Sequence, residues 1–210
     1  MNEIISAIHF LHTTKMDGHT LFHRDIKSSN IFLDQKYTAK LIDCGLAKFV
    51  LKGSSVITNP IPSVCYTAGD GTYGTPGYTC PFHSTGNLYE ASCDVYSFGI
   101  VMIELVTGCL QNDKTRLGDF SERYFPSDFE GSPAEALKLA IPKLVEDVDP
   151  CAEEWEDGIL SSVCALAIRS IQTNRMRRPK TSELVEKLGQ LVRPTQMIIA
   201  FDNLNLNESI

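Results

Sequence analysis

Residues 90–107 set the strongest limit on how this chain can fold. Val95, Phe98, Ile100, Val101, Met102, Ile103, Leu105 and Val106 leave almost no polar face, and Thr107-Gly108 supplies a stop. A helix that is apolar nearly all round belongs at the centre of a domain, with other elements packed around it. The run Val95–Val106 is interrupted by Glu104 and falls well short of the roughly 20 residues that span a bilayer. An amphipathic helix is expected over 3–14, where Ile4, Ile5, Ile8, Leu11 and His12 recur at helical spacing, ending near Lys15. Further helices are expected at 133–146, with Pro133 in the first turn after Ser132, at 154–172, and at 181–192 behind Thr181 as N-cap. Short strands are expected at 20–22, 31–33 and 39–42, with 51–79 and 111–132 as loop. The order is a helix, two short hairpins, a long loop, then helices only. The expected fold class is mainly α with short β-hairpins.

Between the apolar runs Thr20-Leu21-Phe22 and Ile31-Phe32-Leu33 lies His23-Arg24-Asp25-Ile26-Lys27-Ser28-Ser29-Asn30. A charged loop pinned between strands holds reactive groups where the scaffold fixes them and substrate can reach them. The formal charge of -7 and pI near 5.2 argue against a general nucleic-acid binder. Seven cysteines, an odd number with no CxxC pair, point to reduced thiols rather than a disulfide framework or a zinc site. The first residues carry Glu3 and lack the basic start and cleavage site of a signal peptide. With no membrane segment, the expected location is cytoplasmic, or the cytoplasmic face of a membrane receptor.

Five motifs stand in order. His23-Arg24-Asp25 is followed by Asn30, five residues after the aspartate, and Asp43-Cys44-Gly45 begins eighteen residues after Asp25. Then come Gly74-Thr75-Pro76-Gly77-Tyr78-Thr79-Cys80-Pro81-Phe82, Asp94-Val95-Tyr96-Ser97-Phe98-Gly99 and Arg178-Pro179. Together, over about residues 3–192, they resemble the carboxy-terminal lobe of the protein kinase superfamily. The nearest likeness is the tyrosine-kinase-like serine/threonine group, beside plant receptor-like and interleukin-receptor-associated kinases. The resemblance implies a partial protein kinase domain at 1–193 and a loosely ordered tail at 194–210. It implies transfer of the ATP γ-phosphate to protein hydroxyls, with ATP and Mg2+ as cofactors and a protein as substrate. Asp25 would accept the substrate proton and Lys27 would offset phosphate charge. Asn30 and Asp43 would hold magnesium through oxygen donors. Phe32 would lie under the adenine, and Thr75 would bond to Asp25 and Lys27. His23 is expected as a packed core histidine, and Asp94 as a buried carboxylate holding the loop backbone. Arg24 implies control by a phosphate on the segment that follows, with Thr72 the first candidate acceptor beside Thr67 and Tyr73.

Three departures stand against the pattern. Only 22 residues precede His23, so the amino-terminal lobe that clamps ATP is expected to be absent, leaving apolar surface for that lobe or another partner to cover. Cys44 replaces a phenylalanine, which weakens the expected apolar stack through His23. Phe82 replaces a glutamate expected to pair with Arg178, which then needs another partner. The alternatives are a pseudokinase or scaffold, or a truncated fragment without activity.

Overall fold

The computed structural model describes residues 1–15, 19–51, 65–66, 74–86, 88–113, 115–126, 130–152, 155–156 and 158–191. Thr67, Thr72 and Tyr73, and the tail at 194–210, lie outside them.

The apolar run forms α3 (Ala91–Thr107), and all but three of its 17 residues are buried. Gly108 closes it in the left-handed region at φ 65°, its N–H returning to Glu104 O. Leu105, counted among the enclosed positions in the sequence, is instead 55% exposed. It rims an apolar depression of about 230 Å3 with Met1, Ile4, Ile31 and Leu33. Around α3 pack α1 (Asn2–Thr13), which buries Ile4, Ile5 and Ile8, and α6 (Ile159–Ser170), which buries Val163, Leu166 and Ile168. Gly99 lets α3 and α6 approach. A Cβ there would meet Ser170 Cβ at 2.7 Å and Ile171 Cγ2 at 2.8 Å. α5 (Pro133–Glu146) lies on α6 and opens with a reciprocal capping box between Ser132 and Glu135. Residues 181–191 form the last described helix, α7, which buries Leu184 and Leu188.

The strands are short. β2 (Ile31–Leu33) and β3 (Ala39–Leu41) form a hairpin, Phe32 facing Lys40. β1 (His19–Phe22) is not in a neighbouring hairpin but pairs antiparallel with β4 (Lys48–Leu51), Leu21 opposite Phe49. β5 (Cys65–Tyr66) pairs with β6 (Leu88–Tyr89). The architecture is therefore mainly α with short antiparallel pairs, as expected.

Boundaries differ where tertiary contacts outweigh the local pattern. α6 starts at Ile159 rather than 154, because Gly158 before it sits at φ 77° outside the helix. The expected loop at 111–132 contains α4 (Phe120–Tyr124). Asp119 caps it by accepting from the N–H groups of Ser121 and Glu122, while Phe120 is fully buried. A further turn of helix, α2 (Pro81–Gly86), follows Cys80. Among the described side chains, Cys44, Cys80, Cys93, Cys109, Cys151 and Cys164 are free thiols. No described helix is long and apolar enough to cross a membrane.

Candidate active site

The loop from His23 to Asn30 is anchored from below by α3. Asp94, in the first turn of that helix, is fully buried. Its Oδ2 accepts from His12 Nε2 at 2.7 Å and from the His23 N–H at 3.1 Å. Its Oδ1 accepts from the Arg24 N–H at 3.0 Å and from Tyr89 OH at 2.6 Å. Burial pushes this carboxyl up, but the bond and charge of His12, with Tyr89 and the Arg24 N–H, outweigh it and hold it below its ordinary value. Arg24 takes a left-handed φ of 72° there, and its guanidinium lies 5.8 Å from the centre of the Tyr89 ring. The backbone thus reverses directly over the buried carboxylate.

His23 is fully buried. Its Nε2 donates to Ile42 O at 3.2 Å, and its Nδ1 accepts the Asp25 N–H at 3.4 Å. This ring ties the loop to the exit of β3. The Ile42 N–H also donates to Asn30 O at 2.9 Å, so the chain reaches Asp43 beside Asn30.

Asp25 is the hub of the site. Its Oδ2 lies 2.8 Å from Lys27 Nζ and accepts from Asn30 Nδ2 at 3.1 Å, while its Oδ1 accepts from Thr75 Oγ1 at 2.7 Å. Lys27 Nζ also donates to Thr75 Oγ1 at 2.9 Å. Burial again works against the charge, but Lys27, Thr75 and Asn30 together hold the Asp25 carboxyl below its ordinary value. The group therefore stays ionised at neutral pH. Asn30 spends its Nδ2 on Asp25, bonding the backbone carbonyl at 2.8 Å as well as the carboxylate, which leaves Oδ1 as its remaining acceptor.

The structure brings Asp25, Lys27, Asn30 and Thr75 into one hydrogen-bonded group. Asp43 lies outside it. It is exposed, at a left-handed φ of 62°, and its carboxylate turns back to the Gly45 N–H at 3.1 Å. Among the described residues no set of three His, Cys, Asp or Glu could hold a metal, so a cation here would rely on mixed amide and carboxylate oxygens. Phe32 is 56% exposed, and Leu33 and Ile42 are exposed as well; as neighbours in β2, Phe32 and Leu33 point to opposite faces. Cys44, in the phenylalanine position, is exposed and adds no packing beneath His23.

Arg178 does find partners. Its guanidinium donates to Gln172 O at 2.7 Å, Ser92 O at 3.0 Å and Cys80 Sγ at 2.8 Å, and lies over the Tyr96 ring at 4.8 Å. Phe82 is covered instead by Arg175, 4.2 Å from its ring centre, which pairs with Glu90.

Two anchoring groups escaped the sequence reading. His12 was legible only as part of the apolar stripe of α1. Glu104, the one charge inside the apolar run, is 5% exposed, accepts the Gln111 N–H at 2.8 Å and bonds Tyr78 OH. An isolated charge in such a run is itself a signal that a buried partner exists.

Comparison with known families decides the relationship. The family described as the protein kinase domain matches residues 1–187. The chain belongs to the protein kinase family. A probable LRR receptor-like serine/threonine-protein kinase of Arabidopsis thaliana is 32% identical over 82% of this chain. The probable serine/threonine-protein kinase PBL8 of the same plant is 35% identical over 87% of it, and wall-associated receptor kinase-like 21 is 30% identical over 89%. These relatives agree with the likeness to plant receptor-like kinases. The chain spans 18%, 40% and 28% of their lengths respectively. Within the kinase fold, the described elements are those of the carboxy-terminal lobe.

Proposed function

We propose that this chain carries the phosphotransfer loop of a serine/threonine protein kinase, with the kinase lobe at residues 1–193. The observation that supports this best is the shared contact of Asp25, Lys27 and Thr75. An ionised carboxylate, an ammonium and a threonine hydroxyl lie within hydrogen-bond reach of one another at 2.7–2.9 Å.

Phosphoryl transfer depends on positioning and charge neutralisation more than on covalent help. In this reading Asp25 orients a serine or threonine hydroxyl of a protein substrate and accepts its proton at Oδ1 or Oδ2. The lowered basicity of Asp25 suits an orienting group better than a strong base. Lys27, bridging Asp25 and Thr75, presents positive charge where the transferred group passes. Asn30 Oδ1 and the Asp43 carboxylate are hard oxygen donors, the type magnesium prefers, and they fit that ion. Bound Mg-ATP would supply the phosphoryl group and neutralise its charge. Exposed Phe32 offers an apolar floor for a purine, and exposed Leu33 and Ile42 add apolar surface for an amino-terminal lobe. We place the reaction in the cytoplasm, or on the cytoplasmic side of a receptor.

Phosphate transfer from Mg-ATP to serine/threonine peptides tests the reading. Asp25→Asn is expected to lower it by at least about 100-fold with the fold retained. Transfer that survives in Asp25→Asn rules the reading out. A scaffold is the second reading, favoured by exposed Cys44 and by Phe82 in the glutamate position. It predicts no transfer by the unaltered protein and no thermal stabilisation by millimolar Mg-ATP, whereas the kinase reading predicts stabilisation that Asp43→Asn removes.

A further inference from the structure

α7 returns the chain to the start of α1. Thr181 Oγ1, in the first turn of α7, lies 2.9 Å from His9 Nδ1. At the other end, a Cβ on Gly189 would lie 3.8 Å from Asn2 Oδ1. The two helices therefore run antiparallel, and the chain leaves α7 at Leu191 beside the first turn of α1. Asn2 Oδ1 is buried there, and no donor among the described residues reaches it. An enclosed amide oxygen without a donor is costly, and the residues after Leu191 are the nearest source of one.

The same corner opens into the apolar depression of about 230 Å3, where Met1 and Ile4 meet Ile31, Leu33 and Leu105. Leu33 and Leu105 are both left more than half exposed on its wall. A cavity of about 150 Å3 already takes a benzene ring, so a phenyl or branched aliphatic side chain fits this one.

The sequence supplies an occupant. Pro194 steers the residue before it away from helical backbone. Beyond it, Met197-Ile198-Ile199-Ala200-Phe201 is the one unbroken apolar run in the polar stretch 193–210. Six residues separate Met197 from Leu191, a reach of up to about 20 Å when extended. In extended backbone Met197, Ile199 and Phe201 fall on one side. A depression of this size is a weak site for a separate molecule. A segment on a short tether meets it at an effective concentration in the millimolar range, which makes a small apolar contact sufficient.

We propose that residues 197–201 of the same chain dock in this depression, with Ile199 and Phe201 between Leu33 and Leu105, and that a backbone N–H of the tether donates to Asn2 Oδ1. Ser28 also lines the depression, and its hydroxyl lies 3.3 Å from Tyr78 OH. The docked segment thus packs beside the loop that carries Lys27 and Asn30. Of the surface offered to an amino-terminal lobe it takes Leu33 and leaves Ile42 uncovered. The docking rests on reach and apolar contact, not on the phosphotransfer reading.

The test is photocrosslinking of the whole chain with benzoylphenylalanine in place of Leu105, followed by peptide mapping by mass spectrometry. An intramolecular link to residues 197–201 is expected. The link should vanish when Ile199→Asp and Phe201→Asp are combined, and the same probe in place of exposed Leu139, on α5, should not form it. A link between two chains, which marks a second copy as the occupant, overturns the proposal. So does a link to any other segment, or none. Hydrogen exchange checks the unaltered protein. Residues 197–201 should exchange more slowly than 203–210, and Leu105→Asp should remove the difference. Equal exchange of the two segments in the unaltered protein overturns the proposal as well.

Discussion

His12 and Asp94 meet at 2.7 Å although 82 residues separate them, and both side chains are almost wholly enclosed. The pair joins α1 to α3 directly beneath the loop that carries Asp25. Asp94 can serve four donors only because both of its oxygens accept. Asn in its place would turn an NH2 toward two of those donors, either His12 and the His23 N–H or Tyr89 and the Arg24 N–H. Asp94→Asn is therefore expected to cost about 3–5 kcal/mol in urea unfolding. Tyr89→Phe removes one donor and leaves the carboxylate bonded, so about 1–3 kcal/mol is expected. Equal costs for the two would contradict the shared-acceptor account.

Acid should act on the same carboxylates. Asp25, Asp94 and Asp147, the last bonded by Arg123 Nε at 2.6 Å and Tyr124 OH at 2.9 Å, are all held below the ordinary 3.8, burial opposing and their hydrogen-bonding partners prevailing. A lowered folded value means that the folded state binds the proton less readily than the unfolded chain. Their stabilisation is thus complete above 3.8 and is lost as pH falls through the lowered values. The contribution of these carboxylates to the urea midpoint is expected to stay level from neutrality down to that point and then drop. Asp25→Asn should make the drop shallower. An equally steep drop in that variant would show that Asp25 is not among the groups responsible.

Much of the arrangement was legible because it depends on local pattern. The unbroken apolar run marked α3 as central, and Ser132-Pro133 marked the start of α5. The spacing of Asp25, Lys27, Asn30 and Asp43 marked the candidate loop. What stayed hidden depends on distant partners. β1 pairs with β4 because the loop between them is turned back over Asp94, and no residue of either strand encodes that. The partners of Arg178 were hidden for the same reason, since Cys80 is 98 residues away and a thiol is not the expected counter-ion. Asp43 was expected in one group with Asn30. Backbone bonding brings the two together, yet the carboxylate is taken up by Gly45, which spacing alone cannot express.

Thr75 makes a prediction that needs no activity measurement. Its hydroxyl donates to Asp25 and accepts from Lys27, so it helps to keep the carboxyl of Asp25 ionised. Thr75→Val keeps the shape of the side chain and removes the hydroxyl. Following the Asp25 carboxyl by NMR through an acid titration, Thr75→Val is expected to raise its midpoint and Thr75→Ser to leave it nearly unchanged. An unchanged midpoint in Thr75→Val would mean that the 2.7 Å contact is not maintained in solution.

Phe82 stands where an acidic partner for Arg178 was expected, and the structure divides the consequences between two arginines. Arg178 turns to Cys80 and backbone carbonyls, and Arg175 covers the Phe82 ring at 4.2 Å while pairing with Glu90. A guanidinium over an aromatic face contributes about 0.5–1 kcal/mol when partly exposed. A double-mutant cycle of Phe82→Leu and Arg175→Met, read by urea unfolding, should return a coupling of that size. Leucine keeps most of the apolar volume, so the cycle isolates the ring. Arg178→Met, in contrast, strips donors from the carbonyls of Gln172, Ser92 and Thr173 and from a buried sulfur at once, and about 3–5 kcal/mol is expected. If the cycle returned no coupling while Arg178→Met remained costly, Phe82 would be a passive surface residue, and the cost would lie in the contacts of Arg178 alone.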